Sequence, residues 1–82
     1  MARTKDENFI VCLYENGLRL GDQETEFNQY EIGAQVGINP KAVDAICKLL
    51  IRSNFIKRGE EDHMIYITPH GAGLAVQLID EL

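Results

Sequence analysis

Basic side chains are concentrated in one stretch of the sequence, although the chain as a whole is acidic. Five lysine and arginine residues and one aspartate lie between Pro40 and Arg58, a local excess of four positive charges. The net charge of the 82 residues is −5, so the remainder of the chain holds −9. A local positive charge attracts phosphate groups, whereas an acidic remainder is repelled by them. The distribution predicts one phosphate-binding face and argues against a nonspecific nucleic-acid coating protein.

Residue types that support catalysis or metal binding form no recognisable pattern. Cys12 and Cys47 lie in apolar stretches without metal-ligand spacing, so we interpret both as small core side chains. His63 and His70 lack the neighbouring ligands of a zinc site. No Ser/His/Asp set, glycine-rich phosphate loop or carboxylate pair in an apolar setting is visible. We therefore expect no cofactor, no metal and no enzymatic activity.

Length and composition predict a single domain over residues 1–82. A chain of this size buries roughly 60% of its unfolded surface, enough for one small core. Its hydrophobic content of 45% and charged content of 26% are typical of globular domains. No apolar run approaches the ~20 residues of a membrane span, and the N-terminus lacks the apolar segment of a signal peptide. We expect a cytoplasmic protein that does not contact a membrane.

The clearest local pattern begins with a helix start. Asn28 can cap a helix by accepting from the amide of Glu31, whose carboxylate can reach back to the cap. Phe27 and Ile32 are spaced as the accompanying hydrophobic staple. Gly37 supplies the left-handed residue at which this helix ends.

A second helix start follows almost immediately. Asn39 is its cap, Pro40 its first residue, and Ile38 and Val43 form a second staple. Residues 28–53 therefore predict two short helices that must cross. The residues expected at the crossing are the apolar Ile32, Val36, Ile38, Val43, Ile46 and Leu50 and the small Gly33 and Ala34.

This segment resembles the helix-turn-helix of bacterial and archaeal DNA-binding regulators. The family pattern has a small residue, a Gly four positions later, and Val or Ile six positions beyond. Here these residues are Gly33, Gly37 and Val43, with Ile46 following, and the pattern covers about a quarter of the chain. The resemblance implies a second helix that enters the major groove. An ordinary helical hairpin is the alternative interpretation.

The chain before this segment predicts one further helix. Residues 1–5 are expected to fray, and Thr4 and Glu7 are spaced as a capping box. The following run, FIVCLY over residues 9–14, is apolar almost all round and must be covered on more than one side. It either fills the core of a monomer or leaves a face for a homodimer contact. That face would comprise Val11, Tyr14 and Leu18.

An acidic loop is expected to follow this helix. Gly17 and Gly21 bracket the exit from the helix, and the stretch GDQETEF has three acidic residues and no apolar stripe. Residues 25–27 are expected to add a short edge strand, as the corresponding segment does in winged-helix proteins.

A β-hairpin is predicted after residue 54. Asn54 can take the left-handed conformation that ends the preceding helix. Residues 55–58 and 64–68 are β-prone runs separated by the link GEEDH. Strand alternation directs Ile65 and Ile67 to the core and Tyr66 to the other face.

A last helix follows, and the order of elements resembles that of winged-helix proteins. Thr68 is its cap and Pro69 its first residue. The phrase YITPHGAGLAVQL resembles the strand-to-helix corner of MarR- and PadR-type regulators. The resemblance implies an α+β, mostly helical fold with a three-helix core, a wing hairpin and a C-terminal helix. The expected boundaries are 28–53 for the helix-turn-helix, 55–68 for the wing hairpin and 69–82 for the C-terminal helix. The apolar face of the C-terminal helix comprises Leu74, Ala75, Leu78, Ile79 and Leu82.

The resemblance and the charge distribution select candidate DNA-binding residues. Lys41 can hold phosphate or base edges, and Lys48 can meet the backbone or a guanine edge. Ala45 offers apolar contact to a thymine methyl group. Asp44 can accept from cytosine N4 but is repelled by phosphates, and no arginine is placed for a bidentate guanine contact. The complete set is Asn39, Lys41, Asp44, Ala45, Lys48, Arg52, Lys57 and Arg58.

The predicted wing has mixed charge. Lys57 and Arg58 open it with positive charge, yet Glu60, Glu61 and Asp62, here called the acidic tip, occupy its turn. Either the wing does not touch DNA or the nucleic-acid interpretation is wrong. If Lys57 and Arg58 do not contact DNA, they are simply the solvated face of a hairpin.

Two functional hypotheses follow. The first is a sequence-specific regulator of transcription that binds double-stranded DNA as a dimer, through the first and last helices, because one module buries too little surface for useful specificity. The second is a winged-helix protein-interaction or assembly module without DNA binding, for which an acidic surface is no handicap.

Overall fold

The computed structural model of the protein describes residues 3–21 and 25–80. The described residues form four α-helices and one antiparallel sheet of three short strands, an α+β arrangement that is mostly helical, as predicted. The elements in chain order are α1 (Lys5–Leu20), β1 (Phe27–Asn28), α2 (Gln29–Gln35), α3 (Pro40–Arg52), β2 (Ile56–Arg58), β3 (Met64–Ile67) and α4 (Pro69–Asp80).

Helix α1 begins at the predicted capping box. The amide of Thr4 donates to Glu7 Oε1 over 2.9 Å, and the amide of Glu7 donates to Thr4 Oγ1 over 3.4 Å. The helix ends at Gly21, whose φ of 76° is left-handed. Gly17 was predicted to bracket the exit from α1, but it is buried within the helix. The expectation of fraying up to residue 5 is wrong at Lys5, the first helical residue.

The apolar run of α1 fills the core more completely than the sequence suggested. Phe9, Ile10 and Leu13 are buried, and Val11, predicted on a surplus face, is only 2% exposed. Of the two alternatives left open for this run, core filling holds for Val11 and a free face does not. Leu18 is 52% exposed, and Tyr14 is half-buried against the core.

Helix α2 is capped differently from the prediction. Asn28 Oδ1 accepts from the amide of Tyr30 over 2.9 Å, one residue earlier than the predicted partner Glu31. Asn28 is the N-cap as predicted, but the capping box with Glu31 is wrong, because Asn28 Oδ1 accepts from the amide of Tyr30 instead. Gly37 takes the left-handed conformation at the end of the turn, with φ 71°, as predicted.

The crossing of α2 and α3 requires a residue without a side chain. A Cβ on Gly33 would clash with Val43 Cγ2 and lie 3.3 Å from the carbonyl oxygen of Ile38. Ala34, predicted beside Gly33, is exposed and does not line the crossing. The remaining predicted crossing residues are buried or half-buried in one core.

Helix α3 begins as predicted, with Asn39 as cap and Pro40 as first residue. Asn39 Oδ1 accepts from the amide of Ala42 over 2.9 Å. One face of the helix is buried through Val43, Cys47 and Leu50. Since α3 is 13 residues long, three buried positions at this spacing leave its opposite face to solvent.

The three strands have the order β1-β3-β2. Ile56 pairs with Ile67 and Phe27 with Ile65, and both partners on β3 are buried while Tyr66 is half-buried, as alternation predicted. The edge strand expected at residues 25–27 lies at Phe27–Asn28, because only these residues pair with β3.

Helix α4 is anchored to the end of α3. Thr68 Oγ1 accepts from the amide of Gly71 over 3.0 Å and donates to the carbonyl of Asn54 over 2.7 Å. Asn54 has the predicted left-handed conformation, with φ 64°. Ala75 and Leu78 are buried, whereas the predicted apolar residue Leu82 lies outside the described residues.

Membrane-spanning length is not reached by any of these helices. Within residues 3–21 and 25–80, no helix combines the length and the apolar content needed to cross a bilayer.

Candidate nucleic-acid interface

The exposed face of α3 carries a row of basic side chains. Lys41, Ala45, Lys48 and Arg52 are all exposed and follow one another at intervals of four, three and four residues. At 3.6 residues per turn, this spacing places the four side chains within an arc of about 60°. The row lies opposite the buried Val43, Cys47 and Leu50. We call the four residues Lys41, Ala45, Lys48 and Arg52 the α3 stripe.

Two exposed residues flank the α3 stripe. Asp44 lies on one side, and Leu49, which is 50% exposed, lies on the other. Leu49 was not among the predicted site residues. Its position off the buried face of α3 was readable from the helical periodicity.

The carboxylate of Asp44 is held by two side chains of α2. Its Oδ1 accepts from Gln29 Nε2 over 3.0 Å and from the Tyr30 hydroxyl over 2.7 Å. The hydrogen bond to Asp44 is also the main reason that the pKa of Tyr30 is raised above its ordinary value, since the phenol must keep its proton to donate to the carboxylate. Asp44 is therefore fixed in orientation although it is exposed.

Gln29 connects α3 to the β2–β3 hairpin. This side chain is only 1% exposed, and its Oε1 accepts from Arg58 Nη1 over 3.3 Å. Its backbone amide donates to the carbonyl of His63 over 2.8 Å. Both polar atoms of this buried side-chain amide therefore have a hydrogen-bond partner. The structure thus joins two of the predicted site residues, Asp44 and Arg58, through a residue that sequence reasoning did not select.

Gln29 and Tyr30 gave no signal in the sequence. They occupy the first turn of α2, outside the apolar periodicity that marks its core face. Their partners lie 14, 15 and 29 residues away along the chain, so only the tertiary fold brings them together.

The two basic residues of β2 occupy different surroundings. Adjacent residues on a strand point to opposite faces, and Arg58 turns toward Gln29. Lys57 is exposed and lines another cavity, with Tyr66 and His70. The structure therefore groups Arg58, but not Lys57, with Asp44.

The acidic tip lies at the far end of the hairpin and is exposed at all three residues. The carboxylate of Glu26 accepts from the amide of Glu60 over 3.3 Å, which adds a fourth acidic side chain there. A cavity of about 320 Å³ is lined by residues of the tip together with Gln29, Asp44 and Arg58. The ring of His63 lies 5.0 Å from that of Tyr30. The turn of the hairpin is therefore acidic, whereas the α3 stripe is basic.

Neither cysteine forms a disulfide. Cys47 is buried on the inner face of α3, and burial raises its pKa to about 11. Cys12 is half-buried, with Sγ 3.5 Å from Gln35 Oε1, and its pKa is raised chiefly by burial. Among the residues that the structure describes, no three His, Cys, Asp or Glu side chains are grouped so as to hold a metal ion.

Comparison of the chain with protein-family models, curated proteins and solved structures gives no match.

Proposed function

We propose that the chain is a winged-helix protein that binds double-stranded DNA and regulates transcription, with α3 in the major groove. The order of helices and strands, the β1-β3-β2 sheet and the hairpin that precedes α4 support this assignment. In such an arrangement α2 supports α3 from behind, while the exposed face of α3 approaches the bases.

The single observation that carries the proposal is the exposure of the α3 stripe. Three of its four residues are cationic, and the buried face of the helix holds the stripe outward. Lys41 and Lys48 contact phosphates or base edges, and Arg52 contacts a phosphate near the C-terminal end of the helix. Ala45, together with Leu49, offers apolar contact to thymine methyl groups.

Asn39 has a narrower role than the sequence suggested. Its side-chain oxygen Oδ1 caps α3, so only the side-chain nitrogen Nδ2 remains to donate to DNA. Lys57 and Arg58 are both exposed, but Arg58 donates to Gln29 and supports the site, whereas Lys57 reaches a neighbouring phosphate. The acidic tip lines the same cavity as Asp44, and its carboxylates repel phosphates that come near them.

We propose further that two copies bind together. Leu18 and Leu20 of α1 and Val76 of α4 are large apolar side chains that are 52%, 64% and 40% exposed. Their placement on the first and last helices suits a homodimer contact, and a dimer doubles the surface that reads DNA. Sedimentation of the wild type and of Leu18→Glu tests this contact, since the variant should be monomeric.

The DNA-binding proposal is tested by charge reversal with a matched control. Lys48→Glu should raise the Kd for duplex DNA at least about ten-fold in fluorescence anisotropy at low salt. Lys5→Glu makes the same charge change at the first residue of α1, where a carboxylate suits the helix N-terminus, and should change Kd less than about two-fold. Both variants should keep the melting temperature of the wild type. Equal affinities for Lys48→Glu and Lys5→Glu would contradict the proposal.

The acidic tip favours a second candidate, a winged-helix module that binds a protein instead of DNA. Three exposed carboxylates on one turn suit a basic partner surface. Under this alternative, duplex DNA shows no salt-dependent binding, and binding of a purified partner is lost when Glu60, Glu61 and Asp62 are changed to their amides.

A further inference from the structure

The two hydrogen bonds to Asp44 fall on the same carboxylate oxygen. Gln29 Nε2 and the Tyr30 hydroxyl both donate to Oδ1, over 3.0 Å and 2.7 Å. Two donors on one oxygen fix the plane of the carboxylate and direct the other oxygen away from α2. Within the described part of the chain, Oδ2 receives no hydrogen bond.

Oδ2 is therefore a preoriented acceptor at the edge of the α3 stripe. Asp44 is exposed and lies three residues after Lys41 and four before Lys48. Residues at these spacings are neighbours on a helix, so the two ammonium groups reduce the repulsion between this carboxylate and nearby phosphates. The Asp44 carboxylate can thus approach a base edge while Lys41 and Lys48 contact the DNA phosphates.

We infer that Asp44 selects cytosine at one position of the bound DNA, with Gln29 and Tyr30 as positioning residues. In the major groove cytosine presents an amino donor at N4, which a carboxylate oxygen accepts. Guanine presents O6 and N7 and thymine presents O4, all of them acceptors that repel the carboxylate. Adenine also presents a donor, at N6, but its neighbouring N7 acceptor repels the carboxylate. The inference rests on the proposed DNA binding and specifies one base of the target.

The decisive variant is Asp44→Asn. Gln29 and Tyr30 are donors to this side chain, so they hold the asparagine oxygen where Oδ1 now lies. The amide nitrogen then replaces Oδ2 and presents a donor in place of an acceptor. The base preference should consequently change from cytosine to guanine or thymine, both of which offer an acceptor there.

The experiment is selection of bound sequences from a duplex library randomised over about 12 base pairs. The wild type should enrich cytosine at one position about ten-fold, and Asp44→Asn should enrich guanine or thymine at that same position while the rest of the motif is unchanged. Asp44→Ala should lose the base preference at that position.

Tyr30→Phe provides the test of positioning. It removes one donor to Oδ1 and keeps the ring that packs beside His63. The variant should keep its melting temperature and its affinity for DNA with the wrong base, and should lose part of the cytosine enrichment. Equal enrichment in Tyr30→Phe and the wild type would show that Tyr30 has no positioning role.

Failure of this inference is distinguishable from failure of the proposed function. If the wild type binds the library in a salt-dependent manner but selects the same motif as Asp44→Asn, cytosine selection by Asp44 is overturned and DNA binding stands. If the wild type shows no salt-dependent binding to the library, both are overturned.

Discussion

The α3 stripe and the acidic tip are two exposed regions of opposite charge. Lys41, Lys48 and Arg52 give the stripe its positive charge, whereas three successive acidic residues form the tip. Gln29 is hydrogen-bonded to a residue beside each region, Asp44 on α3 and Arg58 at the end of β2 next to the turn. The difference teaches that the local charge, not the net charge of −5, decides which surface phosphates can approach.

The largest expected effect comes from reversing the charge of the stripe. The double variant Lys41→Glu/Lys48→Glu should lower the affinity for duplex DNA by at least about a hundred-fold at low salt, because two phosphate contacts become repulsive. Fluorescence anisotropy measures the affinity, and circular dichroism should show an unchanged melting temperature because both lysines are exposed. An unchanged Kd would mean that DNA, if bound, uses another surface.

The stripe also depends on the packing that holds α3 in place. Gly33→Ala should lower the free energy of unfolding by about 1–3 kcal/mol, because its Cβ would clash with Val43, whose branched side chain moves little. Gly73→Ala is the matched control: no atom lies within 4 Å of a Cβ there, and alanine should stabilise α4 by up to about 1 kcal/mol. Urea unfolding measures both changes. A Gly33→Ala protein as stable as the wild type would contradict the close crossing of α2 and α3.

The local features of this fold followed from the sequence because short-range chemistry determines them. Each of these features involves residues that are at most four positions apart: the capping box of Thr4 and Glu7, the cap at Asn39, and the left-handed residues Gly37 and Asn54. Strand alternation likewise placed Ile65 and Ile67 correctly.

The hydrogen bonds around Asp44 and Gln29 could not be predicted from the sequence, because they join residues that are far apart along the chain. A glutamine after a helix cap has the same local pattern whether its side chain is solvated or buried. Only the packing of β2 and α3 around α2 encloses Gln29 and aligns it with partners 15 and 29 residues away. The cap of α2 was correctly predicted at Asn28, and only its amide partner differs, Tyr30 in place of Glu31.

A smaller effect is expected from the acidic tip. The triple variant Glu60→Gln/Glu61→Gln/Asp62→Asn should raise the affinity for duplex DNA about three-fold at about 50 mM salt, because a repulsive charge near the phosphates is removed. At about 500 mM salt, where exposed charges are screened, the gain should disappear. A loss of affinity in this variant would mean that the tip itself contacts the DNA complex.

The smallest expected effect is a difference between the alkylation rates of the two cysteines. Half-buried Cys12 should react with iodoacetamide at pH 8 before fully buried Cys47, because the thiolate is the reactive form and burial raises the pKa of Cys47 to about 11. Mass spectrometry of peptides measures each rate, and in denaturant the two should react alike. Rapid labelling of native Cys47 would contradict the burial of the inner face of α3.

The same pKa has a consequence for stability. A thiol whose pKa is raised by folding favours the folded state below its ordinary pKa of 9.0, and this contribution is lost as the pH rises through about 11. The free energy of unfolding should therefore fall more between pH 9 and pH 11 in the wild type than in Cys47→Ala. Parallel pH profiles of the two proteins would contradict this assignment.

The most direct test of the central claim, that the α3 stripe binds phosphates, is the salt dependence of duplex binding by the wild-type protein. Three phosphate contacts, from Lys41, Lys48 and Arg52, predict that affinity falls about forty-fold between about 50 mM and 200 mM salt. An affinity that is negligible at about 50 mM, or that changes less than about two-fold over this range, would contradict the claim.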